Sequence, residues 1–223
     1  DEARKALRAV LEMLASERSA PTAVRDPERG WRVHVADSLS GLEVEALRAA
    51  RCLADLGAGA GFPGLPLAAA LPGSRVDLIE ATGRKCEFVR RAIERAGIDN
   101  ARVVCERSES WAARRPPDGG RESYDAVAAR AVGRLSTVAE LASPLLTEGG
   151  ALVVWKGRRN ADEEAELGRA AARLAMEVDE VRSVGPYAGS RHRHLHVLRK
   201  TGATPDNLPR RAGMAKKRPL GGH

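Results

Sequence analysis

The stretch Cys52-Leu53-Ala54-Asp55-Leu56-Gly57-Ala58-Gly59-Ala60-Gly61-Phe62-Pro63-Gly64 constrains this chain more than any other. It reads as a buried strand, a glycine loop and the opening of a helix. Glycine takes positive φ without penalty and lets backbone amides approach a ligand, and a helix start behind the loop offers unpaired donors. A mere turn does not need three glycines at alternate positions, so the spacing points to a nucleotide-type ligand. The dinucleotide fingerprint G-x-G-x-x-G requires glycine at position 62, where Phe62 stands. The phosphate-binding G-x-x-x-x-G-K-[ST] pattern fails too, because no Lys-Ser or Lys-Thr pair follows.

Around this loop the pattern is that of a doubly wound α/β chain. Residues 1–50 are expected to form a helical extension: an amphipathic helix over Glu2 to Glu17, a second opened by Asp26-Pro27-Glu28, and a short third over Glu43 to Ala50. Residues 51–200 alternate strand and helix, which predicts a mostly parallel, seven-stranded sheet covered on both faces. The expected strands are the glycine-loop strand, Val76 to Ile79, Val103 to Cys105, Tyr124 to Ala129, Ala151 to Trp155, and an antiparallel edge pair at Val178 to Val184 and Leu195 to Arg199. Residues 201–223 form a basic tail.

At 223 residues and 43% hydrophobic, the chain can bury a sizeable core, and no apolar run approaches the roughly 20 residues of a membrane span. Cys52, Cys86 and Cys105 are odd in number and unevenly spaced, which argues against a disulfide framework or a zinc site and for a reducing cytoplasm. Cys105 is expected in the core. The net charge is +7, and its location is informative. From Arg191 onward nine lysines and arginines face one acid, Asp206, whereas the preceding residues hold 28 bases and 29 acids. A basic tail on a neutral body fits an anionic polymer, most simply nucleic acid.

The segment Asp55-Leu56-Gly57-Ala58-Gly59-Ala60-Gly61 resembles the first motif of S-adenosylmethionine-dependent methyltransferases. That cofactor carries an ammonium and a sulfonium and no phosphate, so a carboxylate beside the loop would attract it. In an open parallel sheet ligands bind beyond the carboxyl ends of the strands. The residues there are Asp55, Gly57, Gly59, Gly61 and Phe62 after the first strand, Glu80 after the second, Ser108 and Glu109 after the third, Arg130 after the fourth and Lys156 after the fifth. Glu80 is either placed to take both ribose hydroxyls or is a solvated strand-end glutamate. Ser108 and Glu109 either face the adenine or are ordinary loop polarity. Arg130 sits in the small apolar run Ala128 to Val132, where an unpaired charge is costly, so it needs a ligand or an acidic partner.

Several segments together resemble the bacterial family of small-subunit ribosomal RNA guanine methyltransferases once called glucose-inhibited division protein B. They are Thr22 to Pro27, His34 to Leu39, Asp55 to Pro66, Tyr124 to Val132, Trp155-Lys156-Gly157 and Arg210 to Leu220. The resemblance spans nearly the whole chain. It implies a class I methyltransferase fold and methyl transfer to the seven-position nitrogen, N7, of one guanine in the 530 loop of 16S ribosomal RNA. It further implies that Gly57, Phe62, Ser108, Glu109 and Arg130 bind the cofactor, leaving S-adenosylhomocysteine as product. Two departures stand out: Ala20-Pro21-Thr22 replaces the usual Asn-Leu-Thr, and family members usually have further helical residues before the equivalent of Asp1.

The guanine N7 already carries an in-plane lone pair, so alignment matters and no general base is required. Arg130 and Lys156 are the expected positioning residues. Expected RNA contacts are Arg158, Arg159, Arg191, Arg193, Arg210, Arg211, Lys216, Lys217 and Arg218. His192, His194 and His196 alternate, but Arg191 and Arg193 crowd them with positive charge, so no metal is expected. His34 and Asp37, one helical turn apart, are expected to brace their helix. The partner is 16S RNA or the small ribosomal subunit, approached by a monomer in the cytoplasm, with no membrane. The competing readings are a methyltransferase acting on another RNA or a protein, and a non-catalytic RNA-binding module on the same fold.

Overall fold

The computed structural model describes residues 2–17 and 20–222. Its centre is one seven-stranded sheet in the order β3-β2-β1-β4-β5-β7-β6. The strands are β1 Cys52–Leu56, β2 Arg75–Ile79, β3 Ala101–Val104, β4 Tyr124–Arg130, β5 Leu146–Lys156, β6 Met176–Ser183 and β7 His194–Lys200. The first five run parallel, and β7 inserts antiparallel between β5 and β6. This is the expected mostly parallel sheet with its antiparallel edge pair.

Side chains on a strand alternate between faces, and the core divides accordingly. Leu53, Val76, Leu78, Ala128 and Val153 pack on one side, under helices α1 Glu2–Ser16, α5 Gly64–Ala70 and α6 Gly83–Ala96. Ala54, Leu56, Ile79, Val127, Ala129 and Val154 pack on the other, under α7 Ser108–Ala112, α8 Leu135–Ala142 and α9 Ala161–Ala171. Helix α6 ends where Gly97 adopts φ 63°, a left-handed cap.

Between α1 and β1, the chain forms α2 Pro27–Gly30, a π-helical stretch Trp31–Ala36, α3 Asp37–Leu39, and, after a 3₁₀ turn, α4 Glu45–Arg48. Asp26 caps α2 by accepting from the Arg29 amide at 2.7 Å, as its sequence position predicts. A short helix, α7, carries Trp111 after β3, and β5 begins five residues earlier than expected, at Leu146 rather than Ala151.

Two expectations are corrected. Cys86 and Cys105 form a disulfide, and Cys105 is half-buried rather than in the core. Their sequence spacing hides the reason. β2 and β3 are adjacent parallel strands, so the first turn of α6, after β2, lies beside the residue that follows β3. Cys52 remains free. The basic tail, for its part, is packed on the domain. Leu208, Ala215 and Leu220 are buried, and Arg210 reaches Glu140 of α8 with both nitrogens at 2.6 Å. The tail also contains helix α10, Met214–Lys217. Among the described residues, no helix is long and apolar enough to cross a membrane.

Candidate active site

Two cavities open beyond the carboxyl ends of the parallel strands, and Val132, just after β4, lines both. The first, about 210 Å³, is lined by Leu56, Gly57, Ile79, Glu80, Ser108, Glu109, Val132 and Thr137, with Gly213, Ala215 and Lys216 of the tail closing it. The glycine loop shapes its edge. Gly57, at φ 73°, faces Val132, and a Cβ there would come within 2.9 Å of the Val132 side chain. Glu80 is nearly buried; one carboxylate oxygen accepts from the Gly59 amide at 3.1 Å and the other from Thr82 at 2.8 Å. Each oxygen keeps a further acceptor site, so a diol can be bound without breaking the loop. Ser108 donates to Glu109 at 3.3 Å, and the other Glu109 oxygen accepts from the Gly213 amide at 2.7 Å.

The second cavity, about 490 Å³, is lined by residues including His34, Asp37, Arg130, Lys156 and Arg193. Arg130 is its centre. Its Nη1 donates to Asp37 at 3.0 Å and to the Val33 carbonyl at 3.3 Å, and its guanidinium lies 5.7 Å from the centre of the Phe62 ring. His34 stacks on Phe62, centroids 4.7 Å apart. Burial, then the neighbouring Arg130 charge, lowers the His34 pKa to about 4, so the ring is neutral at pH 7. Lys156 is held by Glu163 at 2.7 Å and the Gly133 carbonyl at 3.2 Å.

Most of the strand-end residues therefore meet, but not all. Asp55 lines neither cavity. Its side chain is wholly buried and accepts from the Gly64 amide at 2.8 Å, bracing the start of α5. The attraction to a cationic cofactor argued from the sequence is thus weakened, because burial favours the neutral carboxyl and the group reaches neither cavity. Gly59 and Gly61, at φ 60° and 92°, shape the loop without lining either cavity. Of the expected RNA contacts, three have acidic partners. Arg159 pairs with Glu164, Arg210 with Glu140 and Arg193 with Asp37. Arg158, Arg191, Arg211, Lys216, Lys217 and Arg218 are exposed. His194 contacts the Gly157 carbonyl and His196 contacts Glu164; among the described residues, no cluster of three metal-ligating side chains forms.

Sequence reasoning missed the cavity roles of His34 and Asp37, read there as helix braces. They do tie their helical segment to β4, but they do so inside the cavity. Their one-turn spacing on a partly apolar segment was the available signal. The wall supplied by Gly213 and Ala215 had none.

Asp55 also sets a pH dependence. Burial, opposed by the Gly64 hydrogen bond and Arg130, pushes its pKa from 3.8 up to about 7. Between those values the folded state holds more protons than the unfolded one, so this carboxyl makes stability fall as pH rises from about 4 to about 7. His34, with a depressed pKa, acts in the opposite sense: its contribution is lost as pH falls from 6.5 towards 4. Comparing variants isolates the first effect. The melting temperature of Asp55→Asn should exceed that of the wild type by a margin that widens from pH 4 to pH 7 and then levels. A margin independent of pH would contradict the assignment.

This strand order, with a glycine loop after β1 and an acid after β2 facing a common cavity, defines a class I S-adenosylmethionine-dependent methyltransferase fold. An O-methyltransferase from Bacillus cereus, solved in complex with SAH, superimposes with a TM-score of 0.62 at 18% identity, covering 87% of this chain and 90% of that one. The chain belongs to the family described as rRNA small subunit methyltransferase G, whose model matches residues 5–195. Ribosomal RNA small subunit methyltransferase G of Rubrobacter xylanophilus is 42% identical, covering 89% of this chain and 76% of the relative. That of Gloeobacter violaceus is 39% identical, covering 90% and 78%. The chain is accordingly a methyltransferase.

Proposed function

We propose that this protein transfers a methyl group from S-adenosylmethionine to N7 of one guanine in the 530 loop of 16S ribosomal RNA. The observation that carries the reading is the pair of cavities that share Val132 as a wall, one lined by Glu80, the other by cationic and aromatic groups. The smaller cavity suits an adenosine: Glu80 takes the ribose hydroxyls, Leu56, Ile79 and Val132 cover the base, and Ser108 and Glu109 face its edge. Gly57 and Phe62 lie along the remainder of the cofactor, and Arg130 takes its carboxylate. Asp55, Gly59 and Gly61 serve by holding the loop in shape. When bound, the cofactor supplies an electrophilic methyl on a sulfonium.

The acceptor nitrogen has its own lone pair, so the chain's residues need to align it and exclude water. Arg130 and Lys156 are already held by Asp37 and Glu163, which favours preorganised positioning over proton transfer. The exposed cations Arg158, Arg191, Arg211, Lys216, Lys217 and Arg218 add salt-sensitive affinity for RNA. Arg159, Arg193 and Arg210 contribute less, because carboxylates already neutralise them.

Labelled methyl transfer tests the reading. Small subunits or 16S RNA should accept label from S-adenosylmethionine, with unrelated RNA accepting little. Equal labelling of all RNAs, or labelling of protein alone, would contradict it.

A further inference from the structure

Two buried polar atoms in the larger cavity lack a hydrogen-bond partner, and they are neighbours. One carboxylate oxygen of Asp37, Oδ2, accepts from Arg130. The other, Oδ1, accepts nothing, and the Nε of Arg193, 3.5 Å away, donates nothing. Folded proteins rarely keep such groups unpaired, and those they keep call for an explanation. Neither side chain is free to turn elsewhere. Arg193 Nη2 donates to the Tyr187 hydroxyl at 3.2 Å, and Asp37 Oδ2 accepts from Arg130 Nη1 at 3.0 Å. The wall of the cavity therefore holds a fixed acceptor beside a fixed donor, both closed to solvent while they face each other. Of its other cations, Lys156 is held by protein oxygens and Arg130 is assigned to the cofactor carboxylate.

A purine base edge supplies the complementary pair, and only one purine does so in the required order. Guanine carries an acceptor, O6, next to a donor, N1–H. Adenine carries a donor at the six position and an acceptor at N1. With N7 turned towards the methyl donor, adenine would invert both contacts. Resting on the acceptor proposed above, we infer that Asp37 and Arg193 are specificity-determining residues: Asp37 Oδ1 accepts from guanine N1–H while Arg193 Nε donates to O6. Entry of the base replaces the 3.5 Å contact between the two side chains with two hydrogen bonds. This is the Watson–Crick-edge reading used where enzymes draw a base out of its stack. A site built to hydrogen-bond a group rejects an analogue lacking it far more strongly than a site built on shape alone.

The test is single-turnover methyl transfer to reconstituted small subunits carrying either guanine or 2-aminopurine at the acceptor position. The analogue keeps N7 and the 2-amino group but lacks O6 and N1–H. Wild type should prefer guanine by about 100-fold or more. Asp37→Asn and Arg193→Lys should each lower that preference below about tenfold, mainly by slowing the guanine reaction. The preference is a ratio within one variant, so losses in cofactor affinity or folded fraction cancel. Arg193→Lys keeps the charge and carries the test if Asp37→Asn does not fold. An unchanged ratio, or equal slowing on both bases, overturns the proposal. A wild-type protein that methylates neither substrate while still binding S-adenosylmethionine in dialysis overturns the acceptor assignment as well.

Discussion

Replacing Arg130 with Ala is expected to raise the dissociation constant for S-adenosylmethionine about 100-fold and to lower the melting temperature by roughly 6 to 12 °C. The two effects have separate origins. A hydrogen bond to a charged group contributes about 1.5 to 3 kcal/mol, and about 2.7 kcal/mol corresponds to 100-fold in affinity. The stability loss comes from Asp37, whose side chain is only 10% exposed and would keep Arg193 alone, at 3.5 Å. Removing one partner of a buried pair costs about 3 kcal/mol or more, and in a domain of this size each kcal/mol moves the midpoint by about 2 to 4 °C. Arg130→Lys should fall between, keeping the charge but losing the rigid planar guanidinium whose Nη1 reaches both Asp37 and Val33. Calorimetric titration and thermal melts read both quantities. An unchanged dissociation constant in Arg130→Ala would remove this residue from the cofactor site.

Glu140→Ala should be nearly as costly to stability, by about 3 kcal/mol, and should loosen the tail from the domain. Glu140 is 3% exposed and holds Arg210 through two 2.6 Å hydrogen bonds; Arg210 also donates to the Arg218 carbonyl at 2.7 Å. That clasp spans the residues that wall the smaller cavity. Gly213 donates to Glu109, and Ala215 accepts from Thr137 at 3.2 Å. Releasing it should weaken cofactor binding about tenfold, equivalent to about 1.4 kcal/mol, and speed amide hydrogen exchange over residues 205–220. Unaltered exchange there, with an unaltered melting temperature, would show that the clasp does not hold the tail.

The sequence made the sheet legible because its signals are local. The glycine spacing after β1 and the capping of α2 by Asp26 each depend on a few consecutive residues, and both were found at their expected places. What escaped depends on partners distant in the chain. A π-helical stretch at Trp31–Ala36 differs from an α-helix only by which carbonyl each amide selects, and apolar periodicity does not encode that choice. Glu148-Gly149-Gly150 resembles a turn, yet these residues lie within β5. The pairing of Cys86 with Cys105 required knowing that β2 and β3 are neighbours.

The candidate site follows the same division. Its strand-end residues could be read from the alternation of elements, because the ends of parallel strands converge in any such sheet. Charge counting was less informative about individual residues. Arg159, Arg193 and Arg210 count as free cations in the sequence, but Glu164, Asp37 and Glu140 meet them in the fold. Asp55 misled in the opposite direction: a carboxylate beside a glycine loop suggests a ligand contact, whereas here it is buried against the Gly64 amide.

The measurement closest to the central claim is mass mapping of 16S RNA, at nucleotide resolution, after small subunits lacking the modification are incubated with this protein and S-adenosylmethionine. The account predicts one added methyl, on N7 of a single guanine in the 530 loop. A methyl on another atom or another base, or no methyl in RNA despite bound cofactor, would contradict it.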